Sequence, residues 1–354
     1  VLRYILIASI ILSATSLTTQ ANNEETPERP SGINKAPLDS DGRFTNLGGT
    51  LEHGSLSVRV PFILRRFGTY FRSGEDAPSR IDNDGLLLRE NTDLGMPTVT
   101  WIGHATVLVQ MQGITFLTDP TWSNRPSPVP LIGPRRFVEP GLDFDDLPPI
   151  DFVVISHNHY DHLDLPTLKR LAKRQPETVF FVPLGNAALL QKNQISNVKA
   201  LDWGERIRFK EVVIHCLPAQ HWSKRSLADD RRTLWSSWAV TGADRRFYFA
   251  GDTGYFPEFK TIGDALGPFD LVAMPIGAYA PRAMMKQSHM NPEEAIQAAL
   301  DLNAKQTLGI HFGTFDLSDE PLSEPPRRFK AAAKNNQLDL NQAWIFDIGE
   351  TRGF

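Results

Sequence analysis

Residues 156–164 read SHNHYDHLD, placing His157, His159, Asp161 and His162 within six positions. Imidazoles and carboxylates at this density cannot simply line an apolar core. Each polar group buried without a partner costs roughly 2–7 kcal/mol. The stretch follows IDFVVIS (150–156), a continuous apolar run of the kind found in a strand buried on both faces. The chain must therefore end a covered strand at a cluster of potential metal donors. In α/β folds the loops beyond the carboxyl ends of strands are where sites form. His157 and His159 can meet at one point there, and a short turn aims Asp161 and His162 at a second. One loop thus supplies two donors to each of two cations, of the types that neutral imidazole and carboxylate prefer.

Three more donors recur where an apolar strand runs into small residues: His221 in PAQHW, Asp252 in FAGDTG and His311 in GIHFG. With the first loop they complete a set. His157, His159 and His221 can hold one ion, Asp161, His162 and His311 can hold the other, and Asp252 can bridge the two with its two oxygens. His104 in WIGHATV and Asp119 in FLTDP are read as partners that fix the tautomer of a ligand histidine. His289 follows APRAMMKQS, precedes a helix start and is placed against an anionic substrate. His53 and His215 are read as ordinary linker and strand residues.

Around the site the chain reads as α/β with sheet in the middle. TVTWIGHATVLVQMQGITFLTD forms two strands joined at Gln112-Gly113, and TVFFVP, VVIHCLP, LWSSWAV, RFYFAGD, DLVAMPIG and TLGIHFG are further strands. Helices are expected at 164–174, 186–192, 256–265 and 291–302. The last opens Asn291-Pro292-Glu293-Glu294, with a cap residue, a proline in the first turn and an acid to close the box. The single cysteine, Cys216, makes no internal disulfide and is read as a small buried hydrophobe.

The 354 residues divide into three parts. Residues 1–21, VLRYILIASIILSATSLTTQA, have the layout of a secretory signal peptide, so the protein is expected to be exported to the periplasm or cell envelope. Residues 22–94 form a polar linker and N-terminal arm. Within it, 56–72 mixes apolar and aromatic residues with Arg65, Arg66 and Arg72, and is read either as a segment packed on the main domain or as an amphipathic element for a membrane surface or a substrate entrance. The stretch 60–72, with Met284 and Met285, either lines an apolar route into the site or packs on the domain. Residues 95–350 form a single catalytic domain. A formal net charge of −4 argues against nucleic acid as a partner.

The order H-x-H-x-D-H, then a lone His, a lone Asp and a last His, each near a strand end, resembles the metallo-β-lactamase fold. That resemblance implies a four-layer αββα sandwich with a dinuclear site, usually zinc; manganese or iron suit the same donors. More narrowly, WIGHATVLVQ, LPPIDFVVISHNHYDHLD, QHWSKRSLADD, RFYFAGDTGY and HMNPEEA are similar to the N-acyl-phosphatidylethanolamine-hydrolysing phospholipases D, over roughly residues 95–350. The family's ligands fall on His157, His159, Asp161, His162, His221, Asp252 and His311, and its substrate-contacting histidine falls on His289. The chain departs from the animal members at Ser288, where a glutamine is expected, and in its N-terminal segment. The resemblance implies a phosphodiesterase of phospholipase D type, with Asp161 orienting the nucleophile, acting on a phospholipid at a membrane surface, and a homodimer. A hydrolase of another ester, a lactone or a β-lactam is the competing enzyme reading. The non-enzymatic alternative is an envelope protein with a vestigial metal site, whose sign would be missing donors, and none is missing.

Overall fold

A computed structural model describes residues 27–354 apart from 30–31, 53, 69–73, 75, 130–132 and 340. Residues 1–21, where a signal peptide is expected, and His53, Tyr70, Phe71 and Arg72 lie outside the described residues.

Alternation of side chains sorts the strands into two sheets. The first contains β1 (Thr98–Gly103), β2 (Thr106–Met111), β3 (Ile114–Thr118), β4 (Phe152–Val154), β5 (Val179–Pro183) and β6 (Val198–Leu201), with β14 (Thr351–Gly353) on the outer side of β1. The second runs β7 (Arg206–Phe209), β8 (Val212–Leu217), β9 (Ser237–Thr241), β10 (Arg246–Phe249), β11 (Phe269–Pro275), β12 (Ala304–Ile310) and β13 (Ala343–Trp344) in that spatial order. Each sheet begins as an antiparallel meander and continues with parallel strands. The parallel strands need crossovers, which the helices supply.

On the first sheet Val107, Val109, Phe116, Phe152, Val154 and Phe181 face the second sheet. Their neighbours Leu108, Leu117, Val153, Ile155, Phe180 and Val182 face outward, under α2 (Leu86–Leu94), α3 (Leu165–Arg174) and α4 (Ala187–Lys192). α5 (Glu258–Leu266), α7 (Pro292–Asp301) and α8 (Glu324–Asn335) cover the second sheet from outside. The result is helix, sheet, sheet, helix. Phe116 stacks on Phe152 at 4.7 Å and meets Phe247 of the other sheet edge-on at 5.6 Å. Each such side chain, fully removed from water, stabilises the fold by roughly 1.5–3 kcal/mol.

Local signals set the helix starts. Asn291 accepts a hydrogen bond from Glu294 N–H at 2.8 Å, and the Glu294 carboxylate accepts one from Asn291 N–H at 3.1 Å. The fold runs past the expected boundary at 350, because β14 pairs antiparallel with β1. The arm is not a free tether. It carries α1 (Leu56–Gly68), and residues 36–52 are tied to the domain by Ala36 N–H to Asp202 Oδ1, Phe44 N–H to the Arg231 carbonyl and the Asn46 side chain to the His221 main chain.

Candidate metal centre

Every donor singled out in the sequence lies beyond the end of a strand, at one rim of the sandwich. The 157–162 loop follows β4, His104 follows β1 and Asp119 follows β3. His221 sits four residues past β8, Asp252 three past β10, and His311 directly after β12. His289 lies between α6 (Arg282–Met285) and α7. His104, Asp119 and His311 have φ of 53°, 35° and 61°. Left-handed backbone at a residue with a Cβ costs about 1 kcal/mol or more. The packing around these residues must supply that, and the gain is the direction of the side chain. Close backbone approach is needed too. A Cβ on Gly251 would lie 2.5 Å from Ser156 Cβ, and one on Gly277 would lie 2.2 Å from the His311 carbonyl oxygen.

Two groups of donor atoms result. In the first, His157 Nε2 is 2.7 Å and His221 Nε2 is 3.3 Å from His159 Nδ1. His221 Nδ1–H donates to the Ser288 carbonyl at 3.0 Å, so its Nε2 carries a free lone pair. His157 Nδ1 lies 2.9 Å from Ser156 Oγ, whose own proton goes to Asp119, so His157 is also protonated at Nδ1 and open at Nε2. In the second group, His162 Nε2 faces Asp161 Oδ2 at 3.3 Å, Asp252 Oδ2 at 3.2 Å and His311 Nε2 at 3.2 Å. Asp252 lies between the groups, with Oδ1 3.0 Å from His311 Nε2 and Oδ2 3.9 Å from His221 Nε2.

His104 reaches Asp161 Oδ2 through Nε2 at 2.9 Å. It therefore orients a carboxylate, not the ring of another histidine as the sequence led us to expect; the turn after β1 points it at the 157–162 loop. Asp119 Oδ2 accepts from His162 Nδ1 at 2.6 Å, the histidine-fixing contact expected of it. His289 sits at the open side, its Nδ1 3.9 Å from Asp252 Oδ2. Its side chain is 13% exposed and that of Asp161 15%, against none for His162 and His221, so these two, with His159, are the half-buried members of the cluster.

The electrostatics match a cation's needs. Burial, reinforced by neighbouring imidazoles, holds His157 and His221 well below the ordinary range, and burial holds His159 at about 4. These rings are neutral donors at pH 7. Burial pushes Asp161 and Asp252 upward, but His162 and the imidazoles beside them prevail and hold both well below the usual carboxylate range. His162 is the exception. Burial disfavours its charge, yet Asp252 and Asp161 raise it well above ordinary imidazole, so in the protein alone a proton supplies positive charge there. Asp252 Oδ1, His159 Nε2, His289 Nδ1 and His311 Nδ1 are buried without a hydrogen-bond partner. Asp252 Oδ1 and His311 Nε2 approach to 3.0 Å without the angles of a hydrogen bond. Converging lone pairs, ionised carboxylates and an orphaned buried carboxylate oxygen are a donor set that fits divalent cations.

Sequence reasoning missed three contributors. Ser156 links His157 to Asp119, the Ser288 carbonyl fixes His221, and Asn46 of the arm binds the His221 main chain. Ser156 could have been found by its place next to His157. The other two depend on contacts between distant segments. Cys216 is buried, as expected, and desolvation raises its thiol well above the usual range.

Residues 115–312 match the family described as Beta-lactamase superfamily domain, and the chain belongs to that superfamily. It is a metal-dependent hydrolase of metallo-β-lactamase fold. The N-acyl-phosphatidylethanolamine-hydrolyzing phospholipase D 1 of Caenorhabditis elegans is 47% identical over 264 residues, covering 71% of this chain and 74% of the relative. The outer membrane protein RomA of Klebsiella pneumoniae is 43% identical over 103 residues, 29% of this chain and 76% of the relative. Among solved structures, Igni18, a metallo hydrolase from Ignicoccus hospitalis, shares the fold with a TM-score of 0.55 at 22% identity, covering 73% of this chain and 98% of that one.

Proposed function

We propose that this chain is a phosphodiesterase of phospholipase D type that holds two divalent cations, zinc foremost, and hydrolyses N-acylated phosphatidylethanolamine or a related phospholipid. The observation that carries this reading is the position of Asp252, with one oxygen toward His311 and the other between His162 and His221. A single carboxylate spanning two donor groups is how a paired site is bridged. His157, His159 and His221 would hold one ion, and Asp161, His162 and His311 the other. The 47% identity to a protein named for this lipid supports the substrate class.

When bound, such cations supply Lewis acidity to phosphoryl oxygens and make water acidic enough to react near neutral pH. The protein's residues do the rest. Asp161, steadied by His104, orients the attacking water or relays its proton. Burial keeps His289 neutral, with its pKa at about 4, so it offers a ring N–H to a non-bridging phosphoryl oxygen. Hydrolysis breaks the P–O bond to the N-acylethanolamine, adds hydroxyl to phosphorus and returns a proton to the departing oxygen. The products are phosphatidate and an N-acylethanolamine.

Helix α1 favours a lipid surface. Arg65 pairs with Asp319 at 2.5 Å and Arg66 with Asp316 at 3.0 Å, so these two arginines tie the helix to the domain, while Arg59 is exposed. Leu56, Val60, Ile63 and Leu64 are left 50–71% exposed on the outside, while Phe62 is buried. Among the described residues no helix is long and apolar enough to cross a membrane. We place the protein in the cell envelope, a reading supported by the segment 1–21 and by the name of the Klebsiella relative. Lipid mass spectrometry of metal-quantified protein incubated with bacterial and N-acylated phospholipids tests the proposal. Phosphatidate and N-acylethanolamine should appear together. Intact phospholipid alongside hydrolysis of a lactone or β-lactam would replace it.

A further inference from the structure

Asn46 belongs to the arm, outside the matched superfamily span, yet it is buried and its carboxamide holds the main chain of His221 at two points. Asn46 Oδ1 accepts from His221 N–H at 3.0 Å, and Asn46 Nδ2 donates to the His221 carbonyl at 3.0 Å. Trp235 Nε1 donates to the same Oδ1 at 3.0 Å and to the Ala219 carbonyl at 2.9 Å. His221 needs such a clamp. It lies in a loop beyond β8, where no strand partner fixes its backbone. An amide that satisfies both the N–H and the C=O of one residue replaces the missing ladder and sets where its Cβ points.

The arm also reaches the segment that holds the ring of His221 from the other side. Ser288 accepts the ring N–H through its carbonyl. One residue earlier, Gln287 Oε1 accepts from Glu52 N–H at 2.5 Å, and the Gln287 carbonyl accepts from Gln220 Nε2 at 2.9 Å. Gly54 packs so closely that a Cβ there would lie 3.0 Å from the Ala283 carbonyl oxygen. The arm thus touches both segments that deliver His221 and His289.

We infer that Asn46 is a positioning residue for His221, and that residues 36–52 are a working part of the metal centre. The inference rests on the reading that His157, His159 and His221 share a cation. The arm has other attachments: Ala36 N–H to Asp202 Oδ1 at 3.1 Å, Phe44 N–H to the Arg231 carbonyl at 2.9 Å, and Arg231 to Asp39 at 3.1 Å. Removing the Asn46 carboxamide therefore frees His221 without freeing the arm.

The test compares zinc affinity, by chelator competition, in full-length wild type, Asn46→Ala, Asn46→Asp and Trp235→Phe, with thermal unfolding of each metal-free form as the control. Loss of a residue that orients a ligand costs about 10–100-fold in metal affinity. Asn46→Ala should lose that much for one equivalent of zinc and keep the other. Asn46→Asp, which keeps the acceptor oxygen and loses the donor, should fall between. Trp235→Phe removes a bond to the same oxygen without touching His221 and should bind zinc as wild type does, whatever its unfolding temperature. Wild-type affinity in both Asn46 variants, or equal losses in Asn46→Asp and Trp235→Phe, would overturn the inference. Should Asn46→Ala fail to fold, the contrast between Asn46→Asp and Trp235→Phe decides the outcome. Wild-type protein that takes up no zinc would instead remove the proposed function itself.

Discussion

Asp119 Oδ2 and His162 Nδ1 share a hydrogen bond of 2.6 Å, with neither side chain reached by solvent. The carboxylate stands on the far side of the ring from Asp161, Asp252 and His311, and it keeps a proton on Nδ1. That leaves Nε2 as the atom offered to a cation. Asp119→Asn places an amide N–H or a weaker acceptor against that nitrogen. It should lower zinc affinity about 10–100-fold in chelator competition. Affinity equal to wild type would mean that Asp119 does not set the ring's tautomer.

His157→Ala and Asp252→Ala each remove a donor whose neighbours are already buried and satisfied only in part. Both should abolish hydrolysis of bis(p-nitrophenyl)phosphate, a loss of at least about a thousandfold if the ions stabilise the developing charge. Circular dichroism should show the fold intact. Chelation of the wild type should have the same effect and be reversed by adding zinc. Full activity in either metal-analysed variant would defeat the site assignment.

For His289 the expected pattern is different. It is the imidazole at the open side, with Nδ1 unpartnered, so His289→Ala should keep metal content and lose turnover by about 10–1,000-fold. Elemental analysis beside steady-state kinetics separates the outcomes. A fall in bound metal would make it a ligand instead.

His215 gives a test of stability away from the site. Its Nε2 meets Thr241 Oγ1 at 2.9 Å, and burial, with Arg206 and Arg246 nearby, holds its pKa at about 4. Unfolded, it titrates near 6.5. Between those values the unfolded chain binds the extra proton, so this contribution is complete above pH 6.5 and is lost as pH falls toward 4. It amounts to on the order of 3 kcal/mol. His215→Gln should therefore lose less stability than wild type between pH 7 and 4.5 in urea titrations. Parallel pH profiles for the two would contradict the buried neutral ring.

The donors were legible because their signals are local. A covered strand followed by SHNHYDHLD allows few other structures, and the Asn291/Glu294 box lies within four residues. What stayed hidden depends on distant partners. Nothing in residues 22–55 announces that Asn46 will bind a main chain 175 positions away. Arg65 and Arg66 of α1 read as part of a basic face, but they pair with Asp319 and Asp316, and Leu56 and Leu64 are left outside. β7 (RIRF) alternates but is only four residues long, and β14 (TRG) has no apolar residue at all, so their strand state comes from the neighbours they pair with. α8 opens Glu324-Pro325-Pro326 and is strongly basic, so its buried stripe of Phe329, Ala332 and Ala333 is faint in the sequence.

The pairing of β14 with β1 carries a consequence for biogenesis. One flank of the strand that leads to His104 stays bare until its partner, 251 positions after Thr100 at Thr351, has been made. Until then that edge is an open template for unwanted association.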